Sequence, residues 1–251
     1  MRTAPVIISI MLSACINSHV AASDYIAIEE HLGSYLSSDL VFSSTDNQEI
    51  KILDMIDMPT VISPVYYNCP GLCTPIMDGM VKLMNRTDLV MGKDFQVINI
   101  SFHEAETPEL AAVKKRNYAD LLNPEQNADH WHFITGDQEN IEKMLDELGY
   151  SVRRQGEDIL HTAAIMIVSP SGKIVKYIHG TKYNPVEFKM AIQKAALEEP
   201  MSTISRALKA CFNYEPAGRA KQRSVTILAF IFMISIAVIV TVAYPPLRNK
   251  N

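Results

Sequence analysis

The sequence has little of what would mark a binder of polyanions or a fibrous chain. Its 251 residues carry 23 lysines and arginines against 28 acidic residues, for a formal net charge of −5, whereas nucleic-acid binders normally carry a basic face. Ten glycines and 13 prolines are too few for a collagen-like or low-complexity chain. We find no internal repeat with a period of about 20–50 residues. These absences argue against generic nucleic-acid binding and against a solenoid, and they leave one globular domain with appendages.

Cysteine is also scarce. The sequence contains four, Cys15, Cys69, Cys73 and Cys211, too few for a disulfide scaffold. The position of each cysteine therefore carries the information. Cys69 and Cys73 form a CxxxC pair, while Cys211, outside this motif, is most simply a spare or structural thiol.

The N-terminal residues 1–22 resemble an export signal. Arg2 precedes the apolar run Pro5–Leu12, which has about the length of a secretory signal core and is short for a membrane span. Two endings remain open. Residues 12–15 (LSAC) resemble a lipoprotein box that would make Cys15 the lipidated first residue, whereas Val20–Ala22 suits ordinary signal cleavage.

Near the other end, Val225–Ala243 is uncharged and almost wholly apolar, which predicts a transmembrane helix over residues 225–244 and a short tail over 245–251. The flanking basic residues slightly favour a tail outside the cell; they are Arg219, Lys221, Arg223, Arg248 and Lys250. The export signal outweighs this bias. We therefore expect a single-pass protein of the cell inner membrane with its body facing the periplasm, and lipid at Cys15 would be a redundant second anchor.

Between the two ends, strand and helix patterns alternate. The predicted strands are 60–67, 95–102, 131–134, 162–168 and 173–178, and the predicted helices are 73–85, 107–122, 138–148 and 185–197. This order predicts an α/β domain of the thioredoxin-like kind, a central mixed sheet with helices on both faces. We assign residues 23–57 to a lead-in segment, 58–200 to the domain and 201–224 to a juxtamembrane linker.

We expect the functional site at Cys69 and Cys73. The pair follows a predicted strand and lies at the start of a predicted helix. The positive end of a helix dipole favours a thiolate, and thiols about one turn apart can face the same way. Such a pair can form a disulfide or bind one soft metal ion. A purely structural disulfide is the alternative, because the protein is expected to be exported.

A metal bound by two thiolates needs a further donor, and seven histidines compete for that role. His103, His161 and His179 lie at predicted strand ends, where a side chain can face the rim of a sheet. A single histidine is more often structural than a ligand. Residue spacing alone does not choose among them.

Four motifs together resemble the Sco/SenC family of membrane-tethered, thioredoxin-fold copper proteins that assist cytochrome c oxidase assembly. They are Tyr66–Cys73 (YYNCPGLC), Thr107–Ala111 (TPELA), Trp131–Gly136 (WHFITG) and His161–Gly172, and the similarity extends from about Met58 to Pro216. Cys211–Pro216 (CFNYEP), followed by the apolar stretch, resembles a bacterial subgroup with a C-terminal membrane anchor.

The resemblance implies that Cys69 and Cys73 are the copper thiolates and the redox pair, and that His161, 88 residues after Cys73, is the third ligand. Two thiolates and an imidazole suit Cu(I) and can also hold Cu(II). The implied partners are the copper-site subunit of cytochrome c oxidase, another periplasmic copper chaperone or a thiol reductant, and membrane lipid, with no nucleic acid.

This chain departs from the family pattern at two positions. Pro64 stands inside the strand leading to Cys69 and removes a ladder donor, which predicts a bulge or a locally unpaired strand. His103 replaces a common acidic residue, so it is either a rim residue or a second histidine ligand.

The stripe of Met77, Met80 and Met84 suggests either core packing or copper relay, and helical spacing favours the core.

Three functions are consistent with these residues. The first is a copper carrier without turnover, which delivers copper to the oxidase. The second is a thiol-disulfide oxidoreductase that uses the same cysteine pair without stable metal and reduces the cysteines of the oxidase copper site or of a partner chaperone. The third, with less support, is a redox sensor.

Overall fold

The computed structural model describes residues 28–69, 71–156 and 158–201. The predicted signal peptide, transmembrane helix and tail lie outside these ranges, as do Cys15 and Cys211. Within the described ranges, no helix has the length and apolar character needed to cross a bilayer.

Short strands and helices alternate along the described chain. In chain order they are β1 (Val41–Ser43), β2 (Glu49–Lys51), α1 (Ile52–Met55), β3 (Thr60–Val65), α2 (Cys73–Met84), β4 (Gln96–Ser101), α3 (Pro108–Ala119), β5 (Trp131–Ile134), α4 (Gln138–Glu147), β6 (Val152–Gln155), β7 (Asp158–His161), β8 (Ala164–Val168), β9 (Ile174–His179) and α5 (Pro185–Ala196).

The central sheet has five strands in the order β5-β4-β3-β8-β9. β3 and β5 run parallel to β4, whereas β8 runs antiparallel to both β3 and β9. The predicted mixed sheet of a thioredoxin-like fold is therefore confirmed. β1 with β2, and β6 with β7, form separate two-stranded antiparallel sheets.

The sheet is covered on both sides. Every residue of β3, β4 and β8 is buried, and successive strand residues point to opposite faces, so both faces are shielded from water. The carboxyl ends of β3 and β4 meet at one edge of the sheet. Loops from that edge carry Cys69 and the turn before α3.

Pro64 is accommodated without a bulge in the β3–β4 ladder. It pairs in register with Ile100 of β4, and that ladder runs without a shift from Thr60 to Val65. On the other side, pairing with β8 stops at Ile62. The strand is therefore unpaired only on its β8 side, where the missing N–H of proline leaves no broken ladder bond.

Local signals set the helix starts. Thr107 accepts a hydrogen bond from the amide of Leu110 at 3.4 Å, and Pro108 occupies the first turn of α3, as the sequence predicts. Asp137 and Asn184 cap α4 and α5 in the same way. α2 differs, because Leu72 at its N-cap position provides no side-chain hydrogen bond.

The methionine stripe of α2 belongs to the core. Met77, Met80 and Met84 are 3%, 2% and 2% exposed, which confirms core packing rather than a surface relay. The Met77 sulfur lies 3.3 Å from the side-chain nitrogen of the buried Asn99 on β4. This contact ties the helix that starts at Cys73 to the centre of the sheet.

Several elements were not predicted. The lead-in segment contains β1, β2 and α1, and its Leu40, Phe42 and Ile52 are buried in the core. The β6–β7 hairpin was also missed. His161 was expected directly before the strand 162–168; instead it ends β7, and the next strand begins at Ala164. The hairpin therefore sets the position of His161.

Candidate metal centre

Three side chains from separate parts of the fold converge. Cys69 lies in the loop after β3, Cys73 is the first residue of α2, and His161 is the last residue of β7. One potential ligand atom from each lies within 4.8 Å of the others. The Cys73 sulfur is 3.3 Å from His161 Nε2. Both cysteines are free thiols in this structure.

Backbone amides at the start of α2 hold the Cys69 sulfur. The amides of Gly71 and Cys73 donate to it at 3.3 and 3.5 Å, so the sulfur accepts hydrogen bonds at the helix start as a capping side chain does in other helices. Partial burial opposes ionisation of Cys69, but these amides, with the Cys73 thiol and the Tyr66 hydroxyl, outweigh it and lower the pKa of Cys69. Cys69 is therefore the more readily ionised thiol.

Cys73 has the opposite character. It is 2% exposed, and this burial raises its pKa well above the ordinary value, against the effect of the Tyr66 amide, which donates to the sulfur at 3.3 Å. Without a bound cation, Cys73 is protonated at neutral pH. The pair thus has an outer, reactive sulfur and an inner, protected one.

His161 presents Nε2 to the cysteines because its other nitrogen is engaged. Nδ1 lies 2.9 Å from the carbonyl oxygen of Thr162 and 2.9 Å from the Tyr150 hydroxyl. A carbonyl can only accept, so Nδ1 carries the ring proton and Nε2 keeps its lone pair. Burial lowers the pKa of His161, which favours the neutral, ligating form.

Aromatic side chains fix the orientation of this ring. Phe102 meets the His161 ring edge to face at 5.0 Å between ring centroids. The Tyr150 hydroxyl donates to the Thr162 carbonyl oxygen and contacts His161 Nδ1. No spacing signal in the sequence marks Phe102 or Tyr150, since both act through tertiary contacts.

His103 lies outside the cluster. Its Nδ1 accepts a hydrogen bond from the amide of Ala105 at 3.2 Å, and its ring lies 5.9 Å from that of Tyr66. His179 contacts Glu30 at 3.0 Å instead. Among the described histidines, only His161 joins the two cysteines, so His103 behaves as a rim residue.

An open groove of about 270 Å³ leads to the outer thiol. It is lined by Tyr66, Cys69, Gly71, Leu72, Asp158, Ile159, Leu160 and His161. Cys69 is thus reachable from solvent, whereas Cys73 lies behind it. A partner that approaches along the groove meets Cys69 and His161 first.

Two sulfurs and one imidazole form a soft donor set. Such donors suit Cu(I) and other thiophilic ions, whereas Mg²⁺ and Ca²⁺ prefer oxygen ligands. The three residues therefore fit a copper ion both in the softness of their donor atoms and in the closeness of those atoms. The same two thiols can instead close a disulfide, because their sulfurs lie within 4.8 Å of each other and a small movement brings them to bonding distance.

A thioredoxin-like α/β domain with a CxxxC pair and a distant histidine at one sheet edge defines a class of thiol and metal proteins. Residues 30–197 match the family model described as SCO1/SenC. The chain belongs to the SCO1/SenC family.

Solved structures agree with this assignment. A candidate electron transfer protein of Aquifex aeolicus is 26% identical with a TM-score of 0.59, over 67% of this chain and 95% of that one. Arabidopsis thaliana ScoI, solved with copper bound, is 12% identical with a TM-score of 0.51, over 66% and 99% of the two chains.

BsSco, in which a disulfide switch was identified, is 20% identical with a TM-score of 0.51, over 68% of this chain and 96% of that one. It is described as a member of the Sco family of cytochrome c oxidase assembly proteins. The family model shows family membership, and the solved structures confirm the thioredoxin-like fold. The subgroup with a C-terminal anchor stays a prediction.

Proposed function

We propose that the chain is a copper carrier that binds one copper ion through Cys69, Cys73 and His161 and delivers it to the copper site of cytochrome c oxidase during assembly. The observation that carries the proposal is the convergence of these three donors within 4.8 Å, in a family whose relatives include a structure solved with copper bound. Copper is the cargo, and the protein has no turnover of its own.

The two thiols prepare the site for binding in different ways. Cys69 ionises readily, because amide hydrogen bonds lower its pKa, and it meets an incoming ion first. Cys73 must lose its proton as the ion enters, so binding releases protons. His161 needs no proton loss at Nε2. Binding is therefore expected to strengthen as the pH rises.

Release uses the open side of the site. Three protein donors leave room for a further ligand, and the groove exposes Cys69 rather than Cys73. Cysteines of a partner copper site would enter from the groove and displace Cys69 and His161 before the buried Cys73. This sequence of ligand exchanges keeps the ion bound to sulfur throughout the transfer.

The second candidate function is a thiol-disulfide oxidoreductase. It is supported by the contrast between the readily ionised Cys69 and the buried, protonated Cys73. Here the Cys69 thiolate attacks a partner disulfide to form a mixed disulfide, and Cys73 then loses its proton, attacks Cys69 and releases the partner as a dithiol. The partner gains two electrons and two protons, and the chain must be reduced again by a thiol reductant. His161 is not required as a ligand in this cycle.

Copper binding by the His161→Ala variant separates the two functions. Reduced wild-type protein, in a fragment of residues 23–218, should bind one copper per chain, whereas the oxidised form should not bind Cu(I) because both sulfurs are consumed. His161→Ala should weaken copper binding by about 100-fold or more and still reduce a model disulfide. If wild type binds no copper, or His161→Ala binds as well as wild type, the oxidoreductase takes the place of the carrier.

We also propose that the domain faces the periplasm, held at the inner membrane by a helix over residues 225–244. Supporting this are the signal-like residues 1–22 and the apolar stretch Val225–Ala243. Partners in that compartment would be the oxidase copper-site subunit and a periplasmic copper chaperone or thiol reductant. Lipidation at Cys15 would add a second contact with membrane lipid.

A further inference from the structure

A buried carboxylate lies behind the cysteine loop. Glu106, in the turn between β4 and α3, is 8% exposed. Its two carboxylate oxygens accept hydrogen bonds from the amides of Tyr67 and Asn68, each at 2.7 Å. The Ser101 hydroxyl donates a third bond at 2.6 Å. A buried carboxylate needs such donors, because an unpaired charge away from water is strongly destabilising.

These contacts fall where the loop leaves the sheet. β3 ends at Val65, whose carbonyl oxygen still accepts from the amide of Phe102 at 2.8 Å. The Tyr66 amide then donates to the Cys73 sulfur, and the amides of Tyr67 and Asn68 bind Glu106 instead of a neighbouring strand. Cys69 follows directly. Glu106 thus binds two of the three backbone amides between β3 and the reactive thiol.

The same turn also contacts the other half of the site. Phe102 packs against the ring of His161. Glu104 forms an ion pair with Arg154 of β6, in the hairpin that ends at His161. That pair is largely exposed on the arginine side and contributes little. Of the two carboxylates, the buried Glu106 therefore contributes more to fixing the site, through its hydrogen bonds to the cysteine loop.

We propose that Glu106 is a positioning residue for the metal centre, which fixes the Cys69 sulfur against Cys73 and His161 through the amides of Tyr67 and Asn68. This inference deepens the proposed function. It rests on that function only in taking Cys69 and Cys73 as the functional cysteine pair. The carboxylate touches neither sulfur, and it acts through the loop backbone.

The test measures how well the two thiols are placed in metal-free protein. The full chain, purified in detergent, is equilibrated with reduced and oxidised glutathione. In this reaction two protein thiols become one disulfide, while one glutathione disulfide becomes two thiols. The equilibrium constant gives the effective concentration of one cysteine near the other.

Glu106→Gln should lower this effective concentration about tenfold, the loss expected for a charged hydrogen bond. The amide keeps one acceptor oxygen but turns an NH₂ group toward the second backbone N–H. Glu106→Asp, which keeps both oxygens on a shorter stem, should recover part of the loss.

Glu147→Gln is the matched control. The Glu147 carboxylate also accepts from a backbone amide and a hydroxyl, those of Ser37, and it contacts neither cysteine nor His161. This variant should lose comparable folding stability and keep the wild-type thiol equilibrium. Equal thiol equilibria in Glu106→Gln and Glu147→Gln would overturn the proposal.

Hydrogen exchange in unmodified protein keeps the proposal testable if Glu106→Gln does not fold. The amides of Tyr67 and Asn68 should exchange at least tenfold more slowly than unstructured amides of the same sequence. Exchange at the unstructured rate would overturn the proposal. Neither measurement involves copper, so a chain that binds no copper defeats the proposed function and leaves this inference standing.

Discussion

At the scale of single residues, the site depends on which nitrogen of His161 is free. Nδ1 is held by the Thr162 carbonyl and the Tyr150 hydroxyl, so Nε2 faces Cys73. Partners of this kind orient metal ligands and raise their basicity. Tyr150 is therefore as much a part of the site as the three donors.

Tyr150→Phe should weaken copper binding by about 10–100-fold, the usual effect of removing a ligand's hydrogen-bond partner. Tyr183→Phe is the control, because the buried Tyr183 hydroxyl has no hydrogen-bond partner among the described residues. Competition with a Cu(I) chelator measures both variants. Equal affinities for Tyr150→Phe and wild type would show that Thr162 alone orients the ring.

The sequence could predict the donors but not their surroundings. Cys69 and Cys73 were recognisable from the motif and its place between a strand and a helix, and His161 from the family resemblance. Phe102, Glu106 and Tyr150 are brought to the site by the fold, through contacts between residues far apart in the chain. Neither residue type nor local spacing marks such contacts.

At the scale of elements, predictions succeeded where a pattern was long or distinctive. β5 was predicted with its observed bounds, and α2, α3 and α5 start where their capping and spacing signals indicate. The β6–β7 hairpin was missed because β6 is mostly exposed and carries Arg153 and Arg154, so it shows no apolar alternation. Its contribution is to position His161, which a local pattern cannot reveal.

An element-scale prediction concerns β5, at one edge of the central sheet. Burial lowers the pKa of His132 to about 4, with the charges of Lys115 and His130 adding to the effect. The unfolded chain protonates this ring near pH 6.5, whereas the folded protein resists until about pH 4. The contribution of neutral His132 to folding stability is therefore fully present above pH 6.5 and is lost as the pH falls from 6.5 to about 4.

The expected loss from His132 is on the order of 3 kcal/mol. Urea unfolding of the 23–218 fragment at several pH values measures it, and His132→Gln should flatten the curve between pH 6.5 and 4. If His132→Gln and wild type show the same slope, another group causes the acid sensitivity.

At the scale of the whole molecule, the proposed function depends on which side of the membrane holds the site. A carrier for an oxidase copper site on the outer face of the membrane must keep Cys69, Cys73 and His161 there. The signal-like N-terminus favours this side, whereas the charges around Val225–Ala243 lean slightly the other way.

Reporter fusions test this topology. An enzyme active only outside the cytoplasm should be active when fused after Gly180, in the turn that follows β9, and inactive when fused after Asn251. The opposite pattern would put the site in the cytoplasm and remove the oxidase from its reach.

The central claim is that Cys69, Cys73 and His161 together hold one copper ion, and X-ray absorption at the copper edge tests it most directly. Protein loaded with Cu(I) under ascorbate should show two sulfur neighbours and one imidazole nitrogen per copper. His161→Ala should lose the nitrogen and keep both sulfurs. A copper shell without sulfur, or an imidazole signal that persists in His161→Ala, would contradict the account.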